Sequence, residues 1–419
     1  MLNIFRYART FTVILGYFFL NFAMLCGGDL HVLGPFSMRH LCMGVLFGVA
    51  IFLRKKTKMG KTVLPIYIRF LIVYVICNLL NGEFATLSFL QSLYSYHLPC
   101  IALAVGLPAL VKNIRHIELF VWSLIALYAL DSLLTVLQYY NSDFAWLVAT
   151  MINSQSEEGM GKAEIYTNAY GGVMGLSLVA GAFGFVVTNG YFLATYLSVL
   201  TYRINRQGLL NTFTALFLLL LGGSVIFITQ QRMAFLSFVL VSCYIFLYGM
   251  KRKYRIPLML IAVMVLLYYG ISNIEMGRLN TDTNNDTRIR LFEDFFDFIG
   301  KGSWLFGGAV EFRDTYGKAQ HNTFLSAWVL GGIFTFVVFV ILYLKILIGN
   351  MKTIFSHKSR RFLYPFTLCF AVASIIFLLY SVTHSAGVQS GSPMFWVVYS
   401  MMCISYTLEK ENDYPQLTD

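Results

Sequence analysis

Charge is scarce in this chain: 12% of its 419 residues are Asp, Glu, Lys or Arg, while 58% are hydrophobic. A soluble domain carries about a quarter charged residues, so most of this surface cannot face water. The sequence also lacks the ~10-residue segments of alternating polarity that mark a membrane barrel. Apolar runs of helical spanning length recur from end to end instead, each long enough to cross ~30 Å of hydrocarbon, and the mean hydropathy is +0.68. The chain therefore reads as an all-α polytopic membrane protein. No Walker motif or Gly-rich phosphate loop is present, which excludes a nucleotide-driven machine of the familiar kinds. Neither HExxH nor any Cys/His spacing suited to zinc occurs, so no metal site is expected. The seven cysteines lie singly in or beside apolar segments and read as small core residues. The first apolar run lacks a small-residue cleavage site and reads as a span, not a removable signal. No inverted repeat of the transporter kind stands out.

What charge there is has a pattern. The formal net charge of +11 does not gather on one soluble face, so no nucleic-acid partner is expected. Arg54-Lys55-Lys56, Lys112 with Arg115, Arg203 with Arg206, Lys251-Arg252-Lys253, and Lys358 with Arg360 and Arg361 all fall in short gaps between apolar runs. Positive loops stay in the cytoplasm. That bookkeeping predicts twelve spans, near residues 10–27, 36–53, 63–80, 86–111, 117–138, 170–202, 209–229, 233–250, 256–273, 322–348, 362–381 and 393–408, with both termini cytoplasmic. The whole chain, 1–419, is then one transmembrane domain with two large external loops, 139–168 and 272–321. The second is rich in acids and also carries Arg278, Arg288, Arg290, Lys301, Arg313 and Lys318.

Within the second loop, "DTRIRLFEDFFDFIG" has helical logic over 287–300. Asp286 or Thr287 is placed to cap it, Leu291, Phe292, Phe295, Phe298 and Ile299 form one apolar face, and Gly300 is a stop. Such a helix can lie on the membrane surface. Arg288 and Arg290 then pair with the loop's acids or with lipid phosphate, or they bind a substrate anion. "WLFGG", Trp304 to Gly308, reads as a turn with an interfacial aromatic anchor. Arg232 sits at the outer end of its span, where positive residues are disfavoured, which favours a functional role. Asp131 lies deep in a span and is either functional or an interhelical hydrogen-bonding contact; His97 reads as a satisfied core histidine. His384 falls in a short outer loop. His321 alone combines the outer face, the start of a span and nearby arginines.

The ordered set "R-x-x-x-aromatic … LFGG … HNTFLSAWVLGGIF" resembles the signature of bacterial O-antigen ligases and the related O-antigen and capsule polymerases. Arg288 and Phe292 match the arginine and the aromatic four residues on. Gly307-Gly308 match the G-x-G-like turn, and His321-Asn322 with Gly331-Gly332-Ile333 match the His-Asn dipeptide and its continuation. Arg232 matches an arginine at the outer end of an earlier helix pair, and Asn168 in "GKAEIYTNAYGGVMG" matches an external asparagine element. Gln231-Arg232-Met233 departs from the usual small-residue neighbours, and Ser303-Trp304 stand where a proline is usual.

The resemblance implies a metal-independent, cofactor-free membrane glycosyltransferase of the bacterial inner membrane, its active site facing the periplasm. It would move a glycan from undecaprenyl diphosphate to an acceptor sugar, either a lipid-linked repeat (polymerase, favoured because the loop is compact) or lipid A-core (ligase). By that resemblance His321 is catalytic, and Arg232, Arg288 and Arg290 hold the diphosphate. Asn322, Asn168, Arg278 and His384 are further candidates for substrate binding, and a flippase and a chain-length regulator are candidate partners in assembly. A reading of another class, a lipid-linked oligosaccharide flippase, would require a polar path through both halves of the chain. The strong polar features crowd one face instead.

Overall fold

The computed structural model describes residues 2–25, 31–33, 36–53, 64–83, 86, 89–90, 93–140, 142–144, 146–148, 220–221, 225, 228, 282–317, 322–355, 365–383 and 393–413. These fold almost wholly as helices: α1 Leu2–Leu25, α2 Met38–Leu53, α3 Leu64–Leu80, α4 Leu98–Leu110, α5 Ile114–Tyr139, α6 Asp282–Phe298, α7 Ala309–Tyr316, α8 Thr323–Phe355, α9 Pro365–Thr383 and α10 Pro393–Asp413. Between α1 and α2 a small antiparallel hairpin pairs β1 His31–Leu33 with β2 Phe36–Ser37. Among the described residues, three segments are long and apolar enough to cross a membrane, Leu93–Leu110, Ile114–Tyr139 and Thr323–Phe355. Shorter apolar helices run over Thr10–Leu25, Met38–Phe52, Leu64–Leu80 and Phe366–Leu379. The expected spans at 170–202, 233–250 and 256–273 lie outside the described residues, as does nearly all of 209–229.

The chain divides into two compact units, Met1–Phe120 with Asn284–Asp419, and Val121–Thr283. In the first, α3 supplies the centre of the core. Tyr67, Phe70 and Tyr74 recur at i, i+3 and i+7, the spacing that puts side chains on one helix face, and all three are buried. They meet Trp396 of α10, with ring centroids 4.5 Å apart at Tyr67, and Phe339 of α8 at 6.2 Å from Phe70. His97 is buried among them, its Nδ1 2.8 Å from the Tyr67 hydroxyl; it is the satisfied core histidine its sequence position suggests. A Cβ on Gly106 of α4 would fall 2.7 Å from the Leu46 carbonyl oxygen, so the missing side chain lets α4 and α2 touch backbone to side chain.

Buried polar groups tie the last helices together. The Asn350 amide donates to the Ser374 hydroxyl at 2.7 Å, and the Tyr343 hydroxyl to the Leu378 carbonyl at 2.9 Å, both between α8 and α9. Glu409, in the acidic tail, extends α10 past its expected end. Its carboxylate accepts the Phe366 and Thr367 N–H groups at 3.0 and 3.1 Å, and the Thr367 hydroxyl, so it caps the first turn of α9. In the second unit, α5 carries Asp131 fully buried, and the Thr135 hydroxyl donates to the Asp131 carbonyl at 2.8 Å.

Two expectations shift. The span expected at 86–111 is helical at Phe89 and Leu90 and enters α4 through a single π turn, Leu93–His97. The loop helix begins at Asp282, so Asp286 and Thr287 lie inside it and do not cap it. It also does not stop at Gly300: a π turn, Ile299–Ser303, follows, and the chain turns at Gly302, φ 109°.

Candidate functional site

The loop before α8 folds as two helices on the first turns of α8. Leu291, Phe295 and Phe298 of α6 are buried, as are Phe312 of α7 and Val329 of α8. Phe295, Phe298, Phe312 and Val329 make one small core, with Ile299, Tyr316, Leu325 and Trp328 around it. The apolar face of α6 is therefore split. Its 291/295/298 stripe packs inward, whereas Phe292 and Phe296 are 46% and 66% exposed and form an outer flank suited to a membrane surface. Each inward phenylalanine contributes ~1.5–3 kcal/mol by burial, enough to hold α6 and α7 against the first turns of α8.

Across the outside of this core, Asp297 joins α6 to α7. Its Oδ2 accepts from Lys301 Nζ and from the Tyr316 hydroxyl, each at 2.6 Å. The Lys301 hydrogen bond first, then that of Tyr316, holds the Asp297 carboxyl below its ordinary value. The same bond raises the Lys301 ammonium, and partial burial together with Asp297 raises the Tyr316 phenol. A carboxylate depressed in the fold stabilises it above the unfolded pKa of about 3.9 and loses that contribution as pH falls through the folded value. Asp297→Asn should therefore speed backbone amide exchange in α7 at neutral pH by at most a few-fold, as befits an exposed pair. Exchange mass spectrometry of the two proteins side by side should show the difference closing below about pH 4.

The deciding geometry lies where two glycine pairs meet. α8 is broken at Gly331 (φ −165°, ψ 29°) and Gly332 (φ 67°, ψ −164°). In an unbroken helix Ile333 N–H would bond the Val329 carbonyl and Phe334 N–H the Leu330 carbonyl. Here Val329 O accepts Gly308 N–H at 2.8 Å, and Ile333 N–H donates to Trp304 O at 3.0 Å. Leu330 O accepts the Asn78 side-chain amide from α3 at 2.9 Å. Val329 O, Leu330 O and Ile333 N–H are thus each satisfied by protein, which is the condition for irregular backbone at membrane depth. The turn of "WLFGG" thus plugs the break. Gly307 (φ 73°) has no room for a Cβ, which would lie 2.7 Å from Gly332 N; a Cβ on Gly332 would strike the Leu305 carbonyl. The Trp304 carbonyl also accepts Trp328 Nε1–H at 2.9 Å.

Asn322 heads the first half of α8. Its Oδ1 accepts Phe324 N–H at 2.8 Å and Leu325 N–H at 3.2 Å, the geometry of a helix N-cap. α7 ends one connection earlier with Gly317 in the left-handed region, φ 71°, a usual C-terminal stop. His321 falls in the short connection 318–321 between these two fixed ends, outside the described residues. Arg232, Arg278, Asn168 and His384 lie outside them as well. Arg288 is on α6, with its side chain outside the described residues, and Arg290 is on the same helix and exposed.

Residues 216–340 match the family model described as O-antigen ligase. Over this stretch, 125 of the 419 residues, the chain is similar to the O-antigen ligases and related polymerases. The matched stretch contains the glycine-on-glycine seat, α6, α7 and the start of α8, together with Arg232, Arg278, Arg288, Arg290, His321 and Asn322; Asn168 and His384 fall outside it. No curated relative matches the chain. The match and the helices together support a membrane protein of surface polysaccharide assembly with a glycosyltransferase-like activity.

Sequence reasoning missed three residues that touch this loop from α3 and the connection after it. Beside Asn78, the Asn81 amide donates to Phe306 O at 3.3 Å. Glu83 Oε1 accepts Val310 N–H at 2.7 Å and Glu311 N–H at 3.1 Å. Their signal was faint: polar residues at the end of an apolar run look like any loop.

Proposed function

We propose that this protein is an inner-membrane polysaccharide polymerase with twelve spans, acting on the periplasmic face. It transfers a growing glycan from undecaprenyl diphosphate to a sugar hydroxyl of the next lipid-linked repeat. In the step itself His321 takes the acceptor hydroxyl proton. The acceptor oxygen bonds to the anomeric carbon as the bond from that carbon to the diphosphate oxygen breaks, and the departing diphosphate takes the electron pair. Arg232 and Arg288 hold the charge that develops there, because guanidinium offers two parallel donors to phosphoryl oxygens. Arg290, Arg278, Asn168, Asn322 and His384 are candidates for contacts to the remainder of the donor and to the acceptor. A donor already activated as a diphosphate asks for no nucleotide, cofactor or metal.

The single observation that supports this reading most is the seat built from Gly307-Gly308 and Gly331-Gly332. It fixes both approaches to residue 321 while committing the most exposed apolar side chains of the loop, Phe292, Phe296 and Trp304, to its outer flank. A compact loop of this kind suits an acceptor that is itself a lipid-linked repeat. The ligase reading keeps the same chemistry with lipid A-core as acceptor, and the similarity to O-antigen ligases over 216–340 favours it. Surface glycan from a deletion strain separates them. Loss of the long-chain ladder with one repeat still on core supports polymerase; core with no glycan at all supports ligase. Purified protein given lipid-linked donor should release undecaprenyl diphosphate, and glycan movement without that release would make the chain a carrier. In the same assay Arg232→Lys and Arg288→Lys should each lower turnover by roughly 10–100-fold, because lysine keeps the charge and loses the fork.

A further inference from the structure

Glu83 is an acidic side chain only 8% exposed, in an apolar bundle, and no role in transfer has been given to it above. Burying a carboxylate is unfavourable unless its charge is met by good donors. Here the donors are two backbone N–H groups of the first turn of α7, both on Oε1, with the positive end of the helix dipole behind them. The residue is itself held: its N–H donates to Asn81 Oδ1 at 3.0 Å, and its carbonyl accepts the Thr86 hydroxyl at 2.7 Å and Thr86 N–H at 3.0 Å. Asn81 in turn reaches Phe306 O, and Asn78, buried at the end of α3, reaches Leu330 O. Three side chains from one short stretch thus grip the loop at three places more than 220 residues away in sequence.

We infer that Glu83 is a positioning residue for the transfer reaction, an inference that rests on the proposed role of His321. α7 runs from the Glu83 cap to Gly317, and only residues 318–320 separate that stop from His321. The other side of His321 is pinned by Asn322 and by the seated half of α8. Fixing the start of α7 therefore fixes the approach to His321 from upstream, and Glu83 acts through the backbone of that helix without touching substrate. Its requirement is for an acceptor oxygen, not for a negative charge: both bonds converge on Oε1, which a glutamine side chain also supplies.

The test compares the full-length wild type with Glu83→Ala and Glu83→Gln in the purified transfer assay, alongside amide exchange of peptides from α7 and α9. Glu83→Ala should lower kcat by roughly 10–100-fold, the scale of an ångström-level misplacement, with KM for the lipid-linked donor changed less than about threefold, since donor binding is assigned elsewhere. Exchange in α7 should rise at least about tenfold, the loss of one or two well-made hydrogen bonds, with α9 unchanged. Glu83→Gln should restore both to within about twofold of wild type. Full turnover in Glu83→Ala would overturn the inference, as would a Glu83→Gln protein whose α7 stays protected while its turnover is as low as that of Glu83→Ala, because the charge itself would then be needed. A wild type that transfers nothing would retire the proposed function and with it the catalytic use of this clamp, while the exchange arm would still show whether Glu83 holds α7.

Discussion

His321→Ala should abolish glycan transfer and leave the protein folded and inserted. Residue 321 belongs to a short connection between two ends that are fixed without it: α7, stopped at Gly317, and α8, capped by the Asn322 side chain. An alanine there leaves every hydrogen bond of the seat in place, so thermal stability should stay within the ±0.5 kcal/mol usual for a surface change. Activity should fall by at least the ~10²–10⁴-fold that general base catalysis supplies. The measurement is release of undecaprenyl diphosphate by purified protein, with the polymer ladder in cells as a second readout. Wild-type ladders from His321→Ala would remove histidine from the mechanism. A loss of both folding and activity would instead make it a structural residue of the connection.

Much of this was legible in residue order. Apolar runs marked helices at α1 to α5 and α8 to α10, and the ordered Arg, Gly-Gly and His-Asn elements carried the resemblance that the match over 216–340 supports. What was not legible depends on partners remote in sequence. The stripe of Phe292 and the stripe of Phe295 are equivalent on a helical wheel, and only the presence of Phe312 and Val329 on one side decides which is buried. The Asn81-Gly82-Glu83 gap between two expected spans looks like any short polar loop, because hydropathy cannot register that Asn81 and Glu83 have backbone to bind. Glu409 sits in a tail whose acids carry little orientation information, yet it caps α9 from more than 40 residues away. Capping within one helix has a sequence signature; capping across the chain has none. The two glycine pairs were visible as motifs, but only the fold shows that each is the other's partner.

That pairing carries the largest stability effect expected. Gly332→Ala places a Cβ on a residue at φ 67°, ψ −164°, a region that is essentially glycine-only and costs about 1–3 kcal/mol to impose on other residues. The added carbon also strikes the Leu305 carbonyl and crowds Phe306 N. Both are backbone atoms of the turn and cannot swing aside as a side chain tip would. Either the turn leaves the break, orphaning Val329 O and Ile333 N–H in an apolar surrounding at about 1–3 kcal/mol each, or α8 straightens and expels the turn. Each route separates α6 and α7 from α8 and releases the connection that carries His321. We expect a loss of roughly 3 kcal/mol or more, read as a lower Tm in detergent, together with loss of transfer. Gly349→Ala is the control within the same helix: nothing lies within 4 Å of the added Cβ there, and helix propensity makes the change neutral or stabilising by up to about 1 kcal/mol. Equal melting of the two variants would mean that the break in α8 tolerates a side chain, and the seat would lose its claim to hold the site.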